Sequence, residues 1–203
     1  DPVAGGEALV VLEGHTGDYG VTALQAFSDP ATGEPRLVSG GSDDNTVRVW
    51  NPAASGAAIE KEPEGHSNEV RALVTFTEPA TGALRVATGS YDETIRVWDA
   101  ETSGVLLVLD VGSWVLALAF FVDPATGAPR LACTVGNMVR VFDPVAGGQA
   151  LLVINVGDPV SALVVFEDPA TGAPRLACGG YKLCVFDPVA GGEALVVIDV
   201  HAR

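Results

Sequence analysis

Short apolar runs alternate along the chain with stretches of Gly, Pro, Asp and Ser. The first of these series contains four runs, at Ala8 to Leu12, Val21 to Phe27, Arg36 to Gly40 and Thr46 to Trp50. Runs this short, rich in Val, Leu and other strand-forming residues and bounded by turn residues, predict β-strands. No long run with a helical period interrupts the series, so the pattern predicts an all-β protein.

The second run is apolar at successive positions and not only at alternate ones. Val21, Leu24 and Phe27 stand in it beside Ala23 and Ala26. A sheet with one wet face should alternate cleanly between apolar and polar residues. The run therefore predicts an inner strand that is covered on both faces, as in sheets stacked face to face.

Two short tags divide the chain into repeats. The tag D/E-P-A-T-G occurs at Asp29–Gly33, Glu78–Gly82, Asp123–Gly127 and Asp168–Gly172. The tag D-P-V-A-G-G occurs at Asp1–Gly6, Asp143–Gly148 and Asp187–Gly192, with degenerate copies at Asn51–Gly56 and Asp99–Gly104. Both are turn sequences, because Pro presets φ and Gly accepts positive φ. They define a single array with units at 7–56, 57–104, 105–148 and 149–192 and a terminal strand at 193–203, a period of about 45 residues.

Two of the units carry a longer motif. Leu37 to Trp50 reads L-V-S-G-G-S-D-D-N-T-V-R-V-W, and Arg85 to Trp98 reads R-V-A-T-G-S-Y-D-E-T-I-R-V-W. A Gly-His pair precedes each, at Gly14-His15 and Gly65-His66. With these motifs the chain resembles the WD-repeat family over nearly all of its length. The resemblance implies a β-propeller of four-stranded antiparallel blades, four of them in this chain.

The resemblance also implies a buried hydrogen-bond network of His, Ser or Thr, Asp and Trp within a blade. Matched by motif, the two sets are His15, Ser39, Asp44 and Trp50, and His66, Thr88, Asp92 and Trp98. Units three and four lack the His and end in Phe142 and Phe186, so we expect apolar packing to hold them together. A hydrolase triad is disfavoured, because the hydroxyl would lie in mid-strand and no G-x-S-x-G elbow is present.

The number of blades raises the question of how the array closes. The units supply four inner triplets but five outer strands: Ala8–Leu12, Ala57–Lys61, Val105–Asp110, Leu151–Asn155 and Leu195–Asp199. Relatives commonly have about seven blades, and propellers in general have about 4 to 8, so four of these blades are expected to form an arc with exposed apolar ends. We expect two chains to complete an eight-bladed homodimeric ring. The alternatives are a piece of a longer closed propeller and a self-closed four-bladed monomer.

Charge and cysteine content limit the classes of partner and the cellular location that the sequence favours. The net charge of −15 disfavours nucleic acid, whose binding needs basic groups, and no apolar run approaches the roughly 20 residues of a membrane span. The odd cysteine count and the lack of a C-x-x-C pair favour buried free thiols at Cys133, Cys178 and Cys184. The first residues do not have the pattern of a signal peptide, and together with the free thiols this favours a cytoplasmic location.

Chemical sites are otherwise sparse. Asp43, Asp44 and Asn45 lack the ligand spacing of a calcium loop, and no glycine-rich phosphate loop precedes a helix. We therefore expect no metal, no cofactor and no enzyme activity. Arginines that open the second strand of each unit could form a ring for an anion, but pairing with nearby carboxylates is favoured: Arg36, Arg85, Arg130 and Arg175.

Propeller connectivity would place the tags on one rim, and the Gly-His loops with the hairpin turns on the other. The tag rim is nearly invariant within the chain, whereas the other rim varies at Asp18, Tyr19, Asn68, Glu69, Arg71, Tyr91, Trp114 and Tyr181. Variation over a constant frame is typical of a partner-binding surface, and Trp114 is either its anchor or a core residue. The predicted function is a non-enzymatic scaffold for protein or peptide partners. The alternatives are a lectin-like propeller and a repeat array without separate activity.

Overall fold

The computed structural model describes residues 11–29, 32–53 and 65–199, and its described residues form fifteen β-strands and no helix. The first sheet, blade 1, contains three strands in sequence order: β1 (Val21–Ser28), β2 (Pro35–Gly41) and β3 (Val47–Trp50). All neighbouring strands pair antiparallel. A short turn therefore suffices between successive strands, as the tags and hairpin motifs predict.

Three further sheets have four strands each. Blade 2 consists of β4 (Val70–Thr77), β5 (Leu84–Ser90), β6 (Thr94–Asp99) and β7 (Val105–Asp110). Blade 3 consists of β8 (Leu118–Val122), β9 (Pro129–Val135), β10 (Met138–Phe142) and β11 (Leu152–Asn155). Blade 4 consists of β12 (Val160–Glu167), β13 (Pro174–Gly180), β14 (Lys182–Phe186) and β15 (Val196–Asp199).

The four sheets are arranged as the blades of a β-propeller, so the predicted fold class is confirmed. Three of the predicted outer strands are present as β7, β11 and β15, within one residue of the expected limits. The outer strand predicted at Ala57–Lys61 lies outside the described residues. Of the segment Ala8–Leu12, Val11 and Leu12 belong to no strand, and the rest also lies outside the described residues.

The repeated arginines are paired with carboxylates. Arg85 is the best example: its guanidinium lies 2.8 Å from Glu78 and 2.6 Å from Asp99. The equivalent contacts are Arg36 with Asp29 and Glu34, Arg130 with Asp123 and Asp143, and Arg175 with Asp168 and Asp187. The arginines of blades 2, 3 and 4 thus tie two turns at the tag end of the blade, whereas Arg36 pairs within a single turn. All four agree with pairing and not with a free ring for an anion.

A β-bulge begins the innermost strand of three blades. The register shifts between Val21 and Ala23, and the same shift occurs at the equivalent places in blades 2 and 4. Residues two apart normally share a face, but a bulge reorients the strand. As a result Val70 points toward blade 1, whereas Ala72 lies on the opposite face of blade 2, beside Gly89.

Extensive contacts join each blade to the next along the chain. Strands β1 and β2 contact β4, β4 and β5 contact β8, and β8 and β9 contact β12. Apolar clusters fill these three junctions, and the ring of Phe76 stacks on that of Phe120 at a centroid distance of 4.6 Å. Within the three described ranges, no strand of blade 4 makes a comparably extensive contact with blade 1.

Glycines let the inner strands of neighbouring blades approach closely. A Cβ built on Gly40 would lie 2.5 Å from Cγ1 of Val70, and one on Gly89 would lie 2.3 Å from Cγ1 of Val115. Real Cβ atoms do not approach other atoms so closely, so a larger residue would push the blades apart. The glycine and the valine therefore form a socket and a knob at the first two junctions.

Blade packing predicts a large cost for truncating a junction residue. Leu131 is fully buried between blades 2 and 3, whereas Leu106 is an exposed strand leucine in blade 2. We expect Leu131→Ala to lower the free energy of unfolding by about 2–5 kcal/mol, because it removes packed methyl groups and leaves a cavity. Leu106→Ala should stay within about 0.5 kcal/mol of the wild type. Urea titration measures both, and equal losses would contradict the packing described.

Candidate functional site

The motif residues of blade 2 lie together as one hydrogen-bonded chain. His66 Nε2 lies 2.7 Å from the Thr88 hydroxyl, which also accepts the Trp98 indole N–H at 2.8 Å. On the other side of the ring, His66 Nδ1 lies 2.8 Å from the Asp92 carboxylate. Because the Asp92 carboxylate can only accept, the imidazole proton is on Nδ1 and is donated to Asp92, and the Thr88 hydroxyl donates to Nε2.

Blade 1 repeats this arrangement with Ser39 in place of threonine. His15 Nε2 and the Trp50 indole nitrogen each lie 2.7 Å from the Ser39 hydroxyl. His15 Nδ1 lies 2.9 Å from the Asp44 carboxylate, which also accepts the backbone N–H of Thr16 at 3.1 Å. The hydrogen-bond network thus links the Gly-His loop, the hairpin turn and the third strand of the blade.

Electrostatics keep the aspartates charged and the histidine of blade 2 neutral. Burial lowers the pKa of His66 below its ordinary value, although Asp92 opposes the shift. Burial acts to raise the pKa of Asp92, but hydrogen bonds from Thr94 and His66 and the attraction of His66 outweigh it, so this pKa is lowered. Near neutral pH the pair is therefore a neutral imidazole that donates to a carboxylate, and not an ion pair.

These two sets are built to hold structure. Thr88 is fully buried and His66 nearly so, and Ser39 is buried in the same way. A nucleophile must reach its substrate and must not already be committed to a neighbour. Here each hydroxyl is occupied by the indole and the imidazole, so the arrangement pins a loop to a hairpin and offers no reactive oxygen.

Blades 3 and 4 replace the network with apolar groups. Cys133 and Cys178 occupy the positions of the hydroxyl residues, and Phe142 and Phe186 replace the tryptophans. All four are buried in the junction clusters. Burial raises the pKa of the Cys133 and Cys178 thiols to about 12. These thiols, and that of Cys184, are free and buried, as the sequence predicts.

An aromatic patch lies on the variable rim and is defined here as Arg71, Tyr91 and Trp114. The rings of Tyr91 and Trp114 lie 4.8 Å apart, and the Arg71 guanidinium lies 5.5 Å from the Tyr91 centroid. Arg71 is also held by Glu69 at 2.9 Å. Trp114 comes from the loop before β8, so the patch bridges blades 2 and 3. Trp114 is 58 % exposed, which rules out the core alternative for this residue.

The other rim residues of the sequence prediction stand apart from this patch. Tyr19 of blade 1 and Tyr181 of blade 4 are exposed, and neither has a ring contact with the patch. Asp18 and Asn68 are exposed as well, and the Asn68 carbonyl accepts the Ser90 hydroxyl. The sequence prediction named these residues one by one and missed the contact between the Tyr91 and Trp114 rings, because the two residues belong to different repeats.

The described ranges contain no cluster of three or more His, Cys, Asp or Glu residues placed to hold a metal ion. Nor do they contain a helix with the length and apolarity that a membrane crossing requires.

Blades of antiparallel strands, two of them pinned by a His–Ser/Thr–Asp–Trp network, define a β-propeller of the repeat type. Residues 6–51 and 59–99 match the family model described as WD domain, G-beta repeat. The first two units are therefore WD repeats, which supports the resemblance that the sequence motifs indicate. No curated protein matches the chain significantly.

Removal of the central hydroxyl tests the network. Thr88→Val keeps the shape but leaves the Trp98 indole N–H and His66 Nε2 without their shared partner. We expect a loss of about 1–3 kcal/mol in the free energy of unfolding, since a buried polar group would be unsatisfied. Thr77→Val, at an exposed strand residue, is the control and should have little effect. Equal stability of all three proteins in urea titration would contradict the role assigned to Thr88.

The pKa shifts predict acid sensitivity. Because the pKa of His66 is lower in the folded state than its ordinary 6.5, its stabilisation is complete above pH 6.5 and declines as pH falls below that value. The lowered pKa of Asp92 adds a second loss below its ordinary 3.8. Unfolding free energies measured from pH 8 to 3 should therefore fall on acidification.

His66→Gln provides the comparison for this pH series, because glutamine does not titrate. We expect the loss between pH 7 and 5 to be smaller in the variant than in the wild type, even though the variant is less stable at pH 7. Parallel curves would show that His66 does not contribute to the pH dependence.

Proposed function

We propose that the protein is a non-enzymatic interaction scaffold that binds a protein or peptide partner on the variable rim. The observation that carries this proposal is the aromatic patch. An exposed indole packed against a tyrosine ring is a large apolar surface, and such residues dominate the energy of interfaces. The WD-repeat fold supports the same conclusion, because it generally serves as a scaffold for protein interactions.

The patch favours a particular chemistry in the partner. Arg71 is already engaged by Glu69 and by the face of Tyr91, so it fixes the ring more than it attracts an anion. The exposed indole face accepts an apolar, aromatic or cationic side chain. The net charge of −15 favours the approach of a basic segment. We propose a peptide segment with an aromatic or apolar anchor next to Lys or Arg.

A lectin-like function is not favoured. Propellers that bind glycans through equivalent loops would show the same aromatic and polar residues in each loop of one rim. Here the loop before the inner strand carries Tyr19 in blade 1, Trp114 in blade 3 and Pro159 in blade 4. The second alternative, a repeat array without separate activity, corresponds to a result in which the aromatic patch binds no partner.

We further propose that two copies associate, because an array of four blades leaves apolar faces at its two ends. Exposed apolar faces of this kind favour association. We also propose a reducing compartment for the protein, such as the cytoplasm, because three free thiols are compatible with it. No nucleic-acid or membrane partner is proposed, since the charge is strongly acidic.

The rim is tested by capture of binding partners with the purified chain as bait. Trp114→Ala removes the exposed ring, and Val145→Asp alters an exposed valine in a turn of the tag rim as the matched control. We expect proteins or peptides retained by the wild type to be retained by Val145→Asp and lost, by at least about tenfold, with Trp114→Ala. Equal recovery with Trp114→Ala would contradict the rim proposal.

A further inference from the structure

The two ends of the array carry the two halves of a junction that the interior of the chain uses repeatedly. In the interior, a valine at or just before the start of the inner strand of one blade packs against the second strand of the preceding blade. Val70 contacts Gly40 in this way, and Val115 contacts Gly89. At the third junction Thr134 occupies the glycine position, and Val160 is again buried. We define the face that carries the valine as the leading face and the face that receives it as the trailing face.

Blade 1 has an unpartnered leading face. Val21 is aligned with Val70, Val115 and Val160, because each lies two residues before an Ala-Leu pair at the inner strand. The three interior valines are 0 %, 0 % and 2 % exposed, whereas Val21 is 51 % exposed. Leu24 behaves in the same way: it is 62 % exposed, and its equivalent Leu118 is 9 % exposed.

Blade 4 has an unpartnered trailing face. Phe166 is 42 % exposed, whereas the equivalent Phe76 and Phe121 are 4 % and 5 % exposed. In the outer strand, Ile198 is 49 % exposed, whereas the equivalent Leu109 and Ile154 are 5 % and 1 % exposed. The same residue types are thus covered inside the array and uncovered at its end.

The socket for a valine is also present on blade 4, and it is empty. Gly179 is equivalent to Gly40 and Gly89, and all three lack a positive φ. A Cβ on Gly89 would collide with Val115, but one on Gly179 would meet only Ala162 of its own blade, at 3.4 Å. Position 179 keeps the small residue that the knob requires, although no valine among the described residues fills the place.

The geometry points to a second copy of this chain as the occupant. Val21 of the first copy fills the socket above Gly179 of the second copy. Val21 of the second copy fills the socket above Gly179 of the first, and this second contact closes the ring. This inference rests on the proposed self-association and specifies its interface. The junction continues the three interior junctions, with Phe166 of one copy facing Ala26 of the other as Phe76 faces Phe120. Each contact is head to tail, and two such contacts related by a two-fold axis give eight blades, within the range of about 4 to 8 that propellers have.

The mass of the protein in solution tests whether two copies associate. Light scattering after size-exclusion chromatography should give twice the chain mass of 20.8 kDa. A monomer at tens of micromolar would overturn both the self-association and the junction. A trimer or an open series of oligomers would overturn the two-copy ring.

Single substitutions test the location of the junction. Val21→Asp should raise the dissociation constant of the dimer by more than about 100-fold, because it would bury an unpaired carboxylate. Folding should be unaffected, since the side chain is half exposed in one copy, and circular dichroism checks this. The matched control is Val108→Asp, at an outer-strand valine whose equivalents Val153 and Val197 are exposed in the same way. A dimer that resists Val21→Asp, or that dissociates with Val108→Asp, would overturn the junction.

A charge pair tests the head-to-tail arrangement. Ala26→Lys and Phe166→Asp, each alone, should give monomers. An equimolar mixture should give a one-to-one dimer, because one junction is then native and the other pairs lysine with aspartate. A mixture that stays monomeric, or either variant that dimerises alone, would contradict this arrangement. Trp114→Ala should leave the mass unchanged, so failure of the junction and failure of the rim proposal are distinguishable.

Discussion

The fold depends on covering both faces of every inner strand. A strand such as β4 has apolar side chains on two sides, so a single sheet cannot bury it, and a neighbour is required on each side. Stacking blades around a centre meets this requirement for all blades except those at the ends of the array. The bulge at Val70 serves the same requirement, because it turns the valine toward one neighbour while Ala72 lies against the other. Apolar burial of this kind is the main driving force of folding.

The chain uses two solutions for the same place in a blade. In blades 1 and 2 a hydroxyl, an imidazole, a carboxylate and an indole satisfy one another, which fixes the loop to the hairpin. In blades 3 and 4 Cys133 or Cys178 and a phenylalanine fill the place without any polar group. The polar solution is directional and fixes one geometry, but it fails if one member is removed. The apolar solution tolerates substitution better and depends on close packing.

Much of the fold and of the polar network could be predicted from the sequence, because each depends on short local patterns of residues. The tags gave the turns, and the spacing of His66, Thr88, Asp92 and Trp98 gave the four members of one network. The contact between the rings of Trp114 and Tyr91 could not be predicted in the same way, since the two rings come from different repeats and meet only after the blades pack. The bulge at Val21 was also missed, because its residues differ little from those of a regular strand.

Repetition explains why the ends of the array match each other. Each unit carries a leading face and a trailing face, and the interior junctions constrain both to fit. A terminal unit with the same sequence pattern keeps the face that has no neighbour, as Gly179 and Val21 show. A chain of such units is therefore complementary to itself whenever it does not close alone. The variable rim lies outside this constraint, because Tyr91 and Trp114 are not among the residues that form the junctions. Assembly and partner recognition can thus change independently on the same frame.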